Sequence, residues 1–89
     1  MFEYDLDKSA ANLAKHGIVF EQAQALWSDT KRAELRSVGH SEERWLLIGK
    51  VIDQYWTAVY TLRDANIRII SVRRSRANEV RDYVSRESH

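Results

Sequence analysis

The chain has 89 residues, enough for one domain, and its hydrophobic content of 44% argues for a folded core over a disordered chain. It has no cysteine, no apolar run of membrane-spanning length and no signal peptide after Met1, which excludes disulfides, thiolate metal sites and a membrane role and makes a cytoplasmic protein the expectation. The net charge of +1 hides a skew: through Glu43 eight acids face five Lys and Arg, whereas from Arg63 onward seven arginines face four acids, which suits a local polyanion site.

In chain order, residues 2–4 read as a short strand, and Asp5 or Asp7 is placed to cap a helix running through Lys15. Gly17 follows that helix where a left-handed residue is usually needed. A second helix is predicted over 21–27, with Ala23, Leu26 and Trp27 at helical spacing, stopping at Ser28-Asp29. Strands are predicted over 32–38 (weak), 44–51, 55–62 and 67–73, separated by turns at 39–42, 52–54 and 64–66. Such short links favour antiparallel neighbours. Along 67–73, strict alternation sends Ile67 and Ile69 one way and Ile70 and Val72 the other, so both sheet faces need cover. Ser75 can cap a last helix with Ala77, Val80 and Val84 as its apolar stripe. Trp27, Trp45 and Trp56 are assigned to the core, because a domain this small needs their area inside. The expectation is an α+β fold in which residues 1–89 form a single domain, an antiparallel sheet with two N-terminal helices and one C-terminal helix.

The stretch Arg68-Ile69-Ile70-Ser71-Val72-Arg73-Arg74 ends a strand in paired arginines, whose planar, permanently charged forks match phosphate. Simple solvation of a strand end explains them equally well. Glu79 and Tyr83 sit four apart on one helical face, with Arg76 beside them. Arg63 and Arg68 flank a hairpin turn, where two like charges need compensation by Asp64 or by an anion. His16 titrates nearest neutrality and is the best acid–base candidate by chemistry, while a histidine at a helix end also complements the macrodipole. No dense Asp/Glu/His cluster is visible, so no metal and no cofactor are expected.

Several strings share a known order and spacing: Phe2-Glu3-Tyr4-Asp5, Lys8, Asn12, Lys15-His16-Gly17-Ile18, Phe20-Glu21-Gln22-Ala23, Glu43-Arg44 and the Arg68–Arg74 string. Together they resemble the BrnT family from Phe2 to Tyr83. The chain departs from the common pattern at Val19, where a capping residue is frequent, and at Val72 and Ser75, where alanine is usual. The resemblance implies a ribonuclease toxin of a type II toxin–antitoxin pair, with a fold similar to RelE-type toxins. It further implies RNA as substrate, a cognate BrnA-like antitoxin with a ribbon-helix-helix region, and contact with operator DNA only through that antitoxin. A catalytically inactive nucleic-acid-binding or antitoxin-complex module acting in autoregulation is the alternative.

A metal-free ribonuclease turns the 2′-hydroxyl onto the neighbouring phosphorus, which needs a base, cations for the phosphorane charge and an acid for the departing 5′-oxygen. Under the resemblance, Arg44, Arg73, Glu79, His16 and Tyr83 are the catalytic candidates, and Lys15, Arg63, Arg68, Arg74 and Arg76 are the RNA-binding ones. For Glu79 the competing assignment is an ion pair with Arg73 or Arg76, which would lower its pKa and make it a poorer base.

Overall fold

Period-two sequence joined by one longer link and two two-residue turns folds the middle of the chain back on itself three times. In the computed structural model, which describes residues 1–39 and 41–87, this gives β2 (Ala33–Ser37), β3 (Arg44–Val51), β4 (Gln54–Arg63) and β5 (Asn66–Arg74) as an antiparallel meander. His40, inside the 39–42 turn, and His89 lie outside the described residues. The β3–β4 turn places Ile52 at φ 46° and Asp53 at φ 62°, and the β4–β5 turn places Asp64 at 51° and Ala65 at 69°. Two consecutive left-handed residues suit the twist of a hairpin, but Asn or Gly adopt them most easily. A β-branched residue such as Ile52 is strained there, by about 1–3 kcal/mol.

The sheet is mixed, which corrects the antiparallel expectation. β1 (Phe2–Glu3) pairs parallel to β5 through Phe2↔Ile67 and Glu3↔Arg68, giving the order β1-β5-β4-β3-β2. Antiparallel neighbours announce themselves through short links; a parallel partner more than sixty residues away leaves no local signal.

Strict alternation also fails within β5. Val59 pairs with Ser71 but Tyr60 pairs with Ile69, so Ile70 is an extra residue in a β-bulge. The bulge resets the pleat, and Val72 joins Ile69 in one core instead of opposing it. Arg73 then shares a face with Thr57, while Arg74 shares the opposite face with Trp56.

One face carries the larger core, with Phe20, Leu26, Leu47, Trp56, Ala58, Tyr60, Ile69 and Val72 buried together. It is covered by α1 (Leu6–His16), α2 (Phe20–Ala23) and a 3₁₀ segment (Gln24–Ser28). Asp5 caps α1 by accepting from the amides of Asp7 and Lys8, and Gly17 closes it at φ 86°. The predicted 21–27 helix is α-helical only through Ala23. At its start Val19 lacks a capping oxygen, so only half of a capping box forms, the Val19 amide donating to Gln22 Oε1 at 3.2 Å. The 3₁₀ segment lies close on β3 because Gly49 has no side chain: a Cβ there would stand 3.0 Å from Leu26 Cδ2.

The smaller core, on the other face, holds Ala33, Ile48 and Tyr83 with Leu35 and Tyr55 beside them, under α3 (Ala77–Glu87). The predicted stripe of Ala77, Val80 and Val84 is not the inward face of α3. Ala77 is exposed and Val84 44% exposed, whereas Glu79 and Tyr83 are buried. Polar contacts orient this helix in place of small apolar side chains. Nor is Ser75 its cap: its hydroxyl lies 2.8 Å from that of Thr57, and Glu79 satisfies the Arg76 amide from inside the first turn.

Candidate functional site

The C-terminal end of β5 gathers most of the candidate residues. Arg73 forks onto Glu79, Nη1 to Oε1 at 2.7 Å and Nη2 to Oε2 at 2.9 Å. Oε1 also accepts from the Arg76 amide at 2.7 Å and the Thr57 hydroxyl at 3.1 Å. Because Thr57 spends its one proton on Glu79, Ser75 must donate to Thr57. Burial pushes the Glu79 carboxyl up, but the Arg73 guanidinium, the Arg76 amide and the Thr57 hydroxyl outweigh it and hold it at about 2. Glu79 is 5% exposed and receives four donors, as many as its oxygens readily accept. The ion pair is therefore what the geometry presents, and little basicity or lone-pair capacity is left for taking a proton from substrate. Arg73 keeps its Nε–H and a second Nη2–H unused by Glu79, one edge of the fork turned away from the pair.

Its neighbour Arg74 points to the other face, with the guanidinium carbon 5.4 Å from the centre of the Trp56 ring. The two arginines thus serve opposite sides of the sheet end and do not share one spot. Lys15 and His16 form the last turn of α1, on the Arg74 side. Asn12 fixes that helix: its amide donates to the carbonyls of Ile18 and Val72, both at 2.9 Å, and its oxygen accepts the Val72 amide at 3.1 Å. Tyr83 is 3% exposed and donates to Asp29 Oδ2 at 2.7 Å, so it is not offered to a nucleobase. Burial raises the Asp29 carboxyl, yet the Tyr83 hydroxyl, the amides of Lys31 and Lys50 and the charge of Arg32 leave it lowered.

The remaining candidates lie at the far end of the α3 face. Arg44 opens β3, paired at 3.6 Å with Glu42, and Arg68 on β5 pairs at 3.6 Å with Glu3 of β1. Arg63 is exposed and faces Asn66, while Arg68 faces Thr61. The charge that answers Arg68 is thus Glu3, not Asp64. Thr57 and Thr61 are four residues apart on β4, so the Arg68 row stands about 13 Å from Arg73 along the strands. Arg44 and Arg73, expected to share a centre, bracket an exposed stretch of sheet containing the half-buried Leu46 and Val59.

Sequence reasoning missed Asn12, Asp29, Thr57 and Glu3 as organising residues. Only Glu79, three residues after the cap position of its helix, carried a readable signal, that of a capping residue. Among the described residues no group of three or more His, Cys, Asp or Glu converges as metal ligands do, and no helix is long and apolar enough to cross a membrane.

A small α+β domain with guanidinium groups fixed at the end of one strand, and a second arginine row along the same sheet face, has the chemistry of a polyanion-binding protein. The family model described as "Ribonuclease toxin, BrnT, of type II toxin-antitoxin system" matches residues 4–79, and the chain belongs to that family. Comparison with curated proteins gave no match. Membership makes RNA the target and implies an antitoxin partner.

Proposed function

We propose that this toxin cleaves RNA without a metal ion, by in-line attack of a 2′-hydroxyl on the adjacent phosphorus. The O2′–P bond forms as the P–O5′ bond breaks, leaving a 2′,3′-cyclic phosphate and a free 5′-hydroxyl. The observation that carries this reading is the Arg73 fork, held by a buried carboxylate with one N–H edge left over. A donor fixed before the reaction stabilises developing phosphorane charge without reorganising, and such a donor is typically worth on the order of 10²–10³ in rate.

In this scheme Glu79 positions Arg73 and does not move protons, and Tyr83 positions α3. His16, in the last turn of α1 on the Arg74 side, is the remaining candidate for one of the two proton transfers, with Lys15, Arg74 and Arg76 holding the surrounding phosphates. Arg44, Arg63 and Arg68 take phosphates farther along the strand. The neutralising partner is a BrnA-like DNA-binding antitoxin in the cytoplasm, and the architecture is RelE-like.

The test is cleavage of single-stranded RNA in EDTA, with analysis of the product ends and a substrate carrying one 2′-deoxy position at the cut. Cyclic phosphate ends and a block at the deoxy position are expected. Activity abolished by EDTA and restored by magnesium would refute the mechanism. His16→Gln should depress cleavage in the same assay while leaving the thermal midpoint unchanged.

A further inference from the structure

On the α1 face, the segment after α1, the start of α2 and the β3–β4 hairpin enclose an open groove of about 480 Å³ beside Trp56. Ile18, Val51, Ile52 and Trp56 give it apolar walls, and Gln22 and Gln54 are its polar side chains. None of the roles assigned above uses it.

Ile52 at its mouth is unusual twice over. It is 89% exposed and holds φ 46°. An Asn would relieve the turn and remove an apolar side chain from water, so neither the hairpin nor the core accounts for this residue. Cations rim the groove as well: Arg74 rests on the Trp56 ring, and Lys15 and His16 directly precede Gly17, which lines it. Gln22 has its carbonyl oxygen engaged by the Val19 amide, which fixes the orientation of its side-chain amide and leaves the NH₂ as a donor. Apolar walls with an aromatic ring, an oriented donor and positive charge at the edge complement one unpaired nucleotide, with its π face, acceptor-bearing edge and phosphate.

The geometry points to this groove as the seat of a single unpaired RNA nucleotide, with its base against the exposed Ile52 and the small uncovered part of Trp56, which is 9% exposed, and its phosphate on Arg74. The inference rests on the ribonuclease reading and adds to it a base-recognition subsite on the sheet face opposite Glu79. Arg73 and Arg74 are consecutive, their Cα atoms about 3.8 Å apart. Their side chains serve opposite faces of the sheet, so a strand with one base seated in the groove reaches Arg73 only by crossing the end of β5.

The experiment compares wild type with Ile52→Asn by thermal melting and by anisotropy with a fluorescent 2′-O-methyl hexanucleotide, which cannot undergo 2′-hydroxyl cleavage. Ile52→Asn should melt at a higher temperature yet bind about tenfold more weakly. A single abasic position in the oligonucleotide should cost wild type a similar factor and cost Ile52→Asn little more. Arg74→Ala should weaken binding and flatten its salt dependence. If wild type cleaves RNA and Ile52→Asn binds as tightly as it does, the groove assignment is wrong and the ribonuclease reading stands. If Ile52→Asn weakens capture of the antitoxin alone, the groove serves a protein and the inference is overturned. Wild type that neither binds nor cleaves RNA refutes the ribonuclease reading itself, and this inference with it.

Discussion

Removing a carboxylate that accepts four hydrogen bonds leaves its donors stranded, and Arg73 is the one that matters most, because it is charged and only 23% exposed at the side chain. Glu79→Gln should therefore destabilise the fold by roughly 2–4 kcal/mol at neutral pH, measured by urea denaturation. The sign with pH follows from the depressed carboxyl. Its folded value of about 2 lies below the ordinary 4.5, so its contribution is complete above about pH 4.5 and is lost as pH falls through 2. The gap corresponds to about 3 kcal/mol. Wild type should lose this much more than Glu79→Gln across that window, since the lowered Asp29 carboxyl is common to both, so the two should converge in acid. Equal pH dependence in both would show that the pair is not what holds Glu79 ionised. The same contact complicates Arg73→Ala as a catalytic test, since it leaves a buried carboxylate unpaired. Activities of Arg73 variants thus need melting curves beside them. That Glu79 and Tyr83 share a helical face was legible from their spacing. Whether Glu79 would be a base or a strut was not, because that depends on a distance set by β5 and α3 together.

Among the elements, the hairpins and their turns were readable because each depends on neighbours in sequence, and the predicted 44–51 strand is β3 residue for residue. The parallel seat of β1 and the bulge at Ile70 were not, since both are settled by pairing with distant strands. One bulge residue moved Val72 to the other face and so put Arg73 on the α3 face and Arg74 on the α1 face. Asn12 shows the same limit: in sequence it is one polar residue in a helix, yet in the fold it is 7% exposed and ties α1 to β5 through three hydrogen bonds. Asn12→Ala leaves buried peptide groups of Ile18 and Val72 without those partners and should cost about 2–4 kcal/mol, read as a lower denaturation midpoint with unchanged slope. A loss below about half a kcal/mol would mean that water replaces the amide. At α3, Tyr83→Phe deletes the hydroxyl bond to Asp29 and should cost about 1 kcal/mol. Amide exchange should then accelerate in α3 before the sheet is affected, because so few apolar contacts hold this helix.

For the molecule as a whole, the proposed function would give the α3 face two tasks on one surface. Between the Arg73 end and the row of Arg44 and Arg68 lies a half-buried apolar strip that includes Leu46 and Val59. RNA phosphates match the arginines, whereas an amphipathic, acidic segment of an antitoxin matches the arginines and the strip together. On that proposal, inhibition is simple competition. Arg44 and Arg68 carry ion pairs only at 3.6 Å, with side chains about a third exposed, so reversing them to Glu, which sets each beside Glu42 or Glu3, should cost the fold about 1 kcal/mol each. The Arg44→Glu/Arg68→Glu double variant should lose RNA cleavage and antitoxin affinity together, mostly through slower association, and both losses should shrink as salt rises. The apolar strip separates the partners. Leu46→Ser should weaken antitoxin binding and barely change RNA cleavage, leaving a toxin that arrests growth even when co-expressed with the product of the adjacent open reading frame. If Leu46→Ser is neutralised as fully as wild type while the arginine reversals escape, the antitoxin uses charge alone. If neither variant escapes neutralisation, the antitoxin binds elsewhere, and inhibition must act from a distance.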